Sequence, residues 1–131
     1  MREPPATPEL IDAVSEFLTR EVAPQLGGRL AFHLRVAVNV LAIVRRELTL
    51  GPGADAREAA RLAELLGHDG DLASLNQRLV QRISAGAFDD DDAALVAHLW
   101  ATTLDTVAID QPAYATFRRI AANDDANEKE R

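Results

Sequence analysis

Hydrophobic residues recur every three or four positions along most of the chain, which is the spacing of one face of an α-helix. This pattern predicts a first helix from Thr7 to about Ala23. Thr7, Pro8 and Glu9 form a typical start for a helix, and Pro24 is expected to end it. The hydrophobic stripe of this helix consists of Leu10, Ile11, Val14, Phe17, Leu18 and Val22. We therefore expect the first helix to be half buried.

The second helical segment, residues 28–48, is hydrophobic on nearly every face and follows a turn at Gly27 and Gly28. His33, Arg35 and Asn39 interrupt it. A helix without a continuous polar face is expected to lie inside other helices. This predicts that helix two is the buried centre of the fold.

Glycine, proline and acidic residues divide the rest of the chain. Gly51, Pro52 and Gly53 are expected to end helix two. A third helix is then predicted to open at Asp55 and Glu58 in the manner of a capping box, and a fourth helix at Asp71. The hydrophobic positions of these two helices are Leu62, Leu65, Leu66, Leu72, Leu75, Leu79 and Ile83.

The run of four aspartates from Asp89 to Asp92 is predicted to start a fifth helix, which ends at Asp110, Gln111 and Pro112. We find no alternation of hydrophobic and polar residues long enough for a strand. The sequence therefore predicts an all-α, single-domain bundle of about five helices around a buried helix two. Residues 1–122 are assigned to this domain, and residues 123–131 to a flexible polar tail.

Composition narrows the class of protein. The chain has 131 residues, 47% of them hydrophobic, which suits one globular domain. It has no cysteine, so disulfides and thiolate metal sites are excluded and the cytoplasm is the expected location. The stretch without charges in helix two, Val36–Val44, is too short to cross a bilayer, and we expect no membrane association. A net charge of −7 disfavours binding to nucleic acid.

Several segments resemble a family of small uncharacterised bacterial proteins, over roughly residues 8 to 117. The most specific part is the motif Gly-Arg-Leu-Ala-Phe-His at residues 28–33, continued by Arg35, Val36, Ala37 and Asn39. Further matching segments are residues 43–48, 71–72, 75–76 and 109–114. The resemblance implies proteins encoded beside or fused to aminoglycoside-phosphotransferase-like kinases, and found also near acyl-CoA dehydrogenase genes.

The resemblance implies an accessory role, with a kinase-like phosphotransferase as the expected partner. The chain itself lacks the framework of such a kinase. A phosphotransferase of that type needs a glycine-rich loop on strands, a strand lysine, and an aspartate and asparagine that hold magnesium. We therefore expect any phosphotransferase label to be inherited from neighbouring genes.

Arg35, Asn39 and Arg46 share one face of helix two, so these side chains could converge. An arginine one turn away from an asparagine is suited to binding a carboxylate or phosphate. The alternative is that these groups pair internally with acidic residues of neighbouring helices, because a buried charge must be compensated. The sequence leaves both interpretations open.

Two histidines are further candidates for ligand binding. His33 lies on a hydrophobic stripe, where a hydrogen-bonded core histidine is the usual finding. His98 shares a face with Ala94, Thr102 and Asp105. His98 and Asp105 are two helical turns apart, too far to bind one metal ion together. The aspartate clusters do not have the ligand spacing of a calcium loop, so we assign them to helix starts and predict no metal and no cofactor.

No set of catalytic residues emerges from the sequence, and we expect a non-catalytic interaction or accessory module. Its expected partners are a kinase-like phosphotransferase or a second copy of the chain. The alternative is a binder of small anionic metabolites, or a modest enzyme, with a pocket between helices two and five. The candidate ligand-binding residues are His33, Arg35, Asn39, Arg46 and His98. A purely structural domain is the third interpretation.

Overall fold

The computed structural model describes residues 3–131 and shows an all-α protein with five α-helices. No β-strand occurs in this range. The predicted fold class is therefore confirmed. The helices are α1 (Thr7–Phe17), α2 (Gly28–Leu66), α3 (Leu72–Ser84), α4 (Ala93–Asp110) and α5 (Ala115–Lys129).

The start of α1 differs in detail from the predicted hydroxyl cap. Thr7 is the first helical residue, and the carboxylate of Glu9 accepts a hydrogen bond from the backbone N–H of Ala6, at 3.1 Å. After Phe17 the helix widens into a π-helical turn, Leu18–Val22, and tightens into a 3-10 turn, Ala23–Gln25, that contains Pro24. The predicted hydrophobic stripe therefore continues to Val22, but its last residues, Leu18 and Val22, lie in the π-helical turn and not in the α-helix.

The predicted break at Gly51, Pro52 and Gly53 is wrong. Residues 28–66 form one helix of 39 residues with Pro52 in its interior. Proline removes one backbone hydrogen bond of a helix and strains the preceding turn, but the bonds on either side can carry the helix through. Predicted helices two and three are thus one element, and Asp55 caps nothing.

The predicted burial of residues 28–48 is not found in the described chain. Six of the ten Leu, Ile, Val and Phe side chains of this segment keep 41–60% of their surface exposed, and the other four are half-buried. Within residues 3–52 the sole buried residue is Gly51. The sequence pattern predicted that other helices pack over this part of α2, but in the described chain it stays accessible to solvent.

The buried core of the second half of the chain lies around the C-terminal part of α2. Leu62 is 0% exposed and belongs to a cluster of leucines from α2, α3 and α4. Ala59, Leu65, Leu72 and Phe88 pack around the cluster. The leucines of the cluster are Leu62, Leu66, Leu75, Leu79 and Leu95.

Aspartates cap α3 and α4, as predicted. Asp71 Oδ1 accepts a hydrogen bond from the backbone N–H of Ser74, and Asp92 Oδ1 accepts one from that of Leu95, both at 2.9 Å. After the break at Gln111, helix α5 extends to Lys129 and so includes most of the predicted tail. The flexibility of residues 123–131 stays a prediction.

The chain divides into two compact units, the first ending at Pro52 and the second covering Gly53–Arg131. The first unit holds α1 and the N-terminal part of α2, and the second unit holds the leucine core. The assignment of residues 1–122 to one domain stays a prediction. In the part of the chain that the structure describes, no helix has the length and hydropathy to cross a membrane.

Candidate functional site

Two of the predicted site residues of the first unit are held by neighbours on their own helix. The Nε–H of Arg29 donates to His33 Nε2 at 3.2 Å, and the His33 ring meets the Phe32 ring edge-on at 5.7 Å. The Arg35 guanidinium lies over the Phe32 ring, 6.0 Å from its centre. Such contacts orient the two side chains in an exposed setting.

Asn39 is exposed, and Arg46 is half-buried. The expectation that Arg35 and Asn39 lie in a buried environment is therefore wrong for the described chain, because that part of α2 is open to solvent. The anion site and the internal pairing of buried charges were both proposed on the assumption that these residues are buried, and that assumption does not hold here. Ligand binding by these residues stays a prediction.

The largest feature of the first unit is an exposed row of hydrophobic side chains on α2. Phe32, Val36, Val40, Val44 and Leu48 follow one another at intervals of four residues, and each is 41–54% exposed. Side chains at this interval form a ridge along a helix, the element that fits into the groove of another helix. We call these five residues the α2 ridge.

Helix α1 adds hydrophobic surface to the first unit. Leu10, Val14 and Phe17 are 50–58% exposed. The Nε–H of Arg45 on α2 donates to Asp12 Oδ1 on α1 at 2.6 Å, which brings the two helices together at this point. The first unit is therefore a helical pair with hydrophobic side chains on its outside.

The second unit contains an open cavity of about 470 Å³ between α2 and α4. Its polar lining residues are Arg61, Glu64 and His98, and its other walls are Leu65, Ala94 and Ala97. The face of α4 that was predicted to carry His98 and Ala94 thus lines this cavity. Volumes of this size are usual for small-molecule sites.

His98 is the one predicted site residue that is buried, with 4% of its surface exposed. Its Nδ1 atom has no hydrogen-bond partner. Burial lowers the pKa of His98 and the positive charge of Arg61 lowers it further, while the carboxylate of Glu58 acts in the opposite direction. The imidazole is therefore held in its neutral form near pH 7.

Polar pairs connect α2 with α3 and with α4. Arg57 Nη2 bonds to Asp105 Oδ1 at 2.9 Å, and Arg61 Nη2 donates to Thr102 Oγ1 at 3.0 Å. Asn76 Nδ2 donates to Glu58 Oε1 at 2.9 Å.

Sequence reasoning assigned no role to Arg57 or Arg61. The available signal was their spacing of four residues, opposite the polar positions Thr102 and Asp105 of the next long helix. Among residues 3–131, no group of three or more histidine, aspartate or glutamate side chains is placed to hold a metal ion.

Comparison with protein families matches residues 24–114 to the family described as "Domain of unknown function (DUF6285)". The chain belongs to this family. The DUF6285 match includes α2, α3 and α4 and therefore both the α2 ridge and the cavity beside His98, whereas α1 lies outside it. No curated protein and no solved structure matches the chain.

Membership in DUF6285 agrees with the predicted resemblance to an uncharacterised family. Its link to kinase-like phosphotransferases stays a prediction.

Proposed function

We propose that this DUF6285 protein is a non-catalytic interaction module that binds a partner protein through the hydrophobic surface of its first unit. The observation that carries the proposal is the α2 ridge, five hydrophobic side chains in register on one helix with about half of their surface exposed. Contiguous exposed hydrophobic surface is typical of sites for protein association. Scattered single residues would not have this meaning.

The lack of a core within the first unit supports the same conclusion. Gly51, which has no side chain, is the one buried residue among residues 3–52, although the segment is rich in leucine and valine. A helix that is hydrophobic on nearly every face is stable when other helices cover it. A partner that covers the α2 ridge would supply this missing cover.

Charge favours a second copy of the chain as the first occupant to test. Residues 1–52 carry six Arg and six acidic side chains, so the first unit has no net charge. Residues 53–131 carry eight Lys and Arg against fifteen Asp and Glu, which is the whole net charge of −7. A contact between two first units therefore brings no net like charge together, whereas a contact between two second units would.

A kinase-like phosphotransferase is the second partner that we propose, and it rests on the family resemblance. A bacterial origin and a cytoplasmic location belong to the same proposal, the second being supported by the absence of cysteine. Either partner would use the same surface, because a ridge of this kind fits a groove on another helix.

The first test measures association of the full chain alone and after co-expression with a kinase-like phosphotransferase from the same genome. We expect light scattering to show a mass that rises with concentration, or retention of the phosphotransferase during purification. Val40→Asp places a charge in the middle of the ridge and should weaken association at least tenfold.

Val80→Asp is the matched control, since Val80 is 62% exposed on α3 in the second unit. It should leave association unchanged. A chain that stays monomeric at every concentration and retains no phosphotransferase overturns the proposal. Equal weakening by both variants overturns the assignment of the ridge as the binding surface.

A further inference from the structure

We infer that the second unit binds a basic amphipathic helix of a partner protein along the solvent-facing side of α4. The inference is independent of the α2 ridge, because every residue of this surface belongs to the second unit. It follows from an uncovered hydrophobic surface, from the position of the sole tryptophan and from the charges at the two ends of α4. The surface, which we call the α4 face, consists of Val96, Leu99, Trp100, Thr103 and Val107.

Hydrophobic side chains lie on both sides of α4. One side packs into the protein and includes the buried residues Leu95 and Ile109. On the α4 face, Val96, Leu99 and Trp100 keep 52%, 47% and 54% of their surface exposed. A helix that is hydrophobic on all sides is expected to be covered on all sides. The α4 face is therefore a surface that the described chain leaves without cover.

The residues of the α4 face have the spacing of a surface that receives another helix. From Val96 to Val107 they follow at steps of three, one, three and four residues, so they line one side of the helix over about three turns. No acidic or basic residue lies among them. The hydroxyl of Thr103 already donates to the backbone carbonyl of Leu99, at 2.8 Å. Such a row is suited to the hydrophobic stripe of an amphipathic partner helix.

Trp100 lies at the middle of the α4 face and is the only tryptophan of the chain. Tryptophan is one of the residue types that contribute most to binding between proteins, because it covers a large hydrophobic area at low entropic cost. A half-exposed tryptophan next to two exposed hydrophobic neighbours forms a contiguous patch, which is typical of an interaction site. Trp100 is therefore the expected centre of the contact.

The charges near the α4 face favour a basic partner. The segment from Asp89 to Asp110 contains six aspartates and neither lysine nor arginine. One of them, Asp105, is paired with Arg57. The other five lie at the ends of the helix, since Asp89–Asp92 precede α4 and Asp110 is its last residue. Lysine or arginine at both ends of a partner helix would complement these charges, whereas an acidic partner would be repelled.

Helix capping does not account for this concentration of charge. The cap of α4 uses the carboxylate of Asp92, which accepts from the Leu95 N–H at 2.9 Å. The three aspartates before it are exposed. With 18 residues, α4 is about 27 Å long, so the acidic ends are separated by about this distance. The expected partner is therefore a helix of similar length with basic side chains near both ends.

The binding test uses the full chain and a designed helical peptide of leucine and lysine, with 18 residues like α4 and all leucines on one side. Because the peptide has no aromatic residue, tryptophan fluorescence reports on Trp100 alone. We expect the emission to shift to shorter wavelength and to saturate at micromolar peptide. Two control peptides should bind at least about tenfold more weakly, one with the same residues in scrambled order and one with glutamate for lysine. No saturable shift, or equal binding of a control peptide, overturns the inference.

A hydrophobic-to-charged variant tests the α4 face itself. Val96→Asp adds a negative charge, which by itself would favour the basic peptide. We nevertheless expect binding at least about tenfold weaker, because the new carboxylate would lose water against the leucines. Val80→Asp adds the same charge on α3, where Val80 is 62% exposed, and should leave binding within about twofold. Equal affinities of the two variants contradict the α4 face as the binding surface.

Two triple variants with the same net charge test the acidic end of α4. The first should weaken peptide binding about tenfold at low salt, and the second, on α5, should leave it within about twofold. Equal losses would show attraction to the total charge alone and would overturn the inference. The first variant combines Asp89→Asn, Asp90→Asn and Asp91→Asn, which spare the cap. The second combines Asp124→Asn, Asp125→Asn and Glu128→Gln.

The protein without peptide distinguishes a partner helix from a second copy of the chain. Trp100 lies in the second unit, so association through the α2 ridge should leave its emission unchanged as the protein concentration rises. A shift to shorter wavelength on concentration would show that a second copy covers the α4 face and would overturn the inference. Circular dichroism checks that each variant keeps its helices.

Discussion

Leu62 of α2 and Leu75 of α3 lie in the same core cluster and have almost no exposed surface, 0% and 1% respectively. They are also the largest fully buried side chains of the described chain. The core of this small protein is thus anchored where the C-terminal part of α2 meets α3. Substitutions at this point should affect stability most.

Leu75→Ala should lower the free energy of unfolding by about 2 to 5 kcal/mol, because it removes buried methyl groups and leaves a cavity in the leucine cluster. Val80→Ala on the same helix is the control, since Val80 is 62% exposed. It should change stability by less than about 0.5 kcal/mol. Urea denaturation followed by circular dichroism measures both, and similar losses in the two variants would contradict the position of the core.

Asp92→Ala should destabilise the protein by about 1 kcal/mol, because Asp92 caps α4 through the Leu95 N–H. Asp91→Ala removes the same charge one residue earlier, at an exposed position outside the helix. Its effect should stay below about 0.5 kcal/mol. Thermal unfolding of both variants tests whether one aspartate of the run is the cap. An equal effect of both would indicate that only the summed charge matters.

The sequence predicted the all-α class, the two aspartate caps and the leucines of the core, because each depends on local spacing and on capping chemistry. It failed at Gly51, Pro52 and Gly53, where three residues that usually end helices lie inside one. The low helix propensity of glycine and proline is a weak indicator of a helix end, because the backbone hydrogen bonds on either side can keep the helix continuous. It also failed for residues 28–48, since a hydrophobic pattern indicates a need for cover and cannot say whether the same chain supplies it.

The part of the candidate site that lies on one helix could be predicted, because it depends on local helical spacing. His98 and its neighbours on one helical face followed from periodicity within α4, and the structure places His98 and Ala94 at the cavity. Arg61 could not be assigned, because its partner Thr102 is 41 residues away and only the packing of α2 against α4 joins them. Helical periodicity predicts which residues share a face of one helix, but it does not predict contacts between helices that are distant in the sequence.

The lowered pKa of His98 predicts a dependence of stability on pH. Its ordinary value is 6.5, and burial, followed by the charge of Arg61, lowers it in the folded protein. The unfolded chain therefore binds a proton at His98 before the folded chain does, so the contribution of this group to stability is lost as the pH falls below about 6.5.

His98→Gln removes this titration. The stability of the wild-type protein should fall more steeply than that of the variant as the pH is lowered from 7 towards about 5. Denaturation curves at several pH values measure the difference. Parallel pH profiles for the two proteins would show that His98 has the same pKa in the folded and unfolded states.

Two glycines should respond in opposite directions to alanine. Gly53 lies inside α2 at an exposed position, and a new Cβ atom would meet only Arg57 Nη1, at 3.4 Å. Gly53→Ala should therefore raise the free energy of unfolding by about 0.5 to 1 kcal/mol, because alanine favours the helix. Gly67 ends α2 with a φ of +75°, so Gly67→Ala should lower it by about 1 kcal/mol through backbone strain, although no atom lies near the new Cβ. Denaturation of the two variants side by side decides the matter: a loss of stability in Gly53→Ala would contradict the continuous helix across residues 51–53.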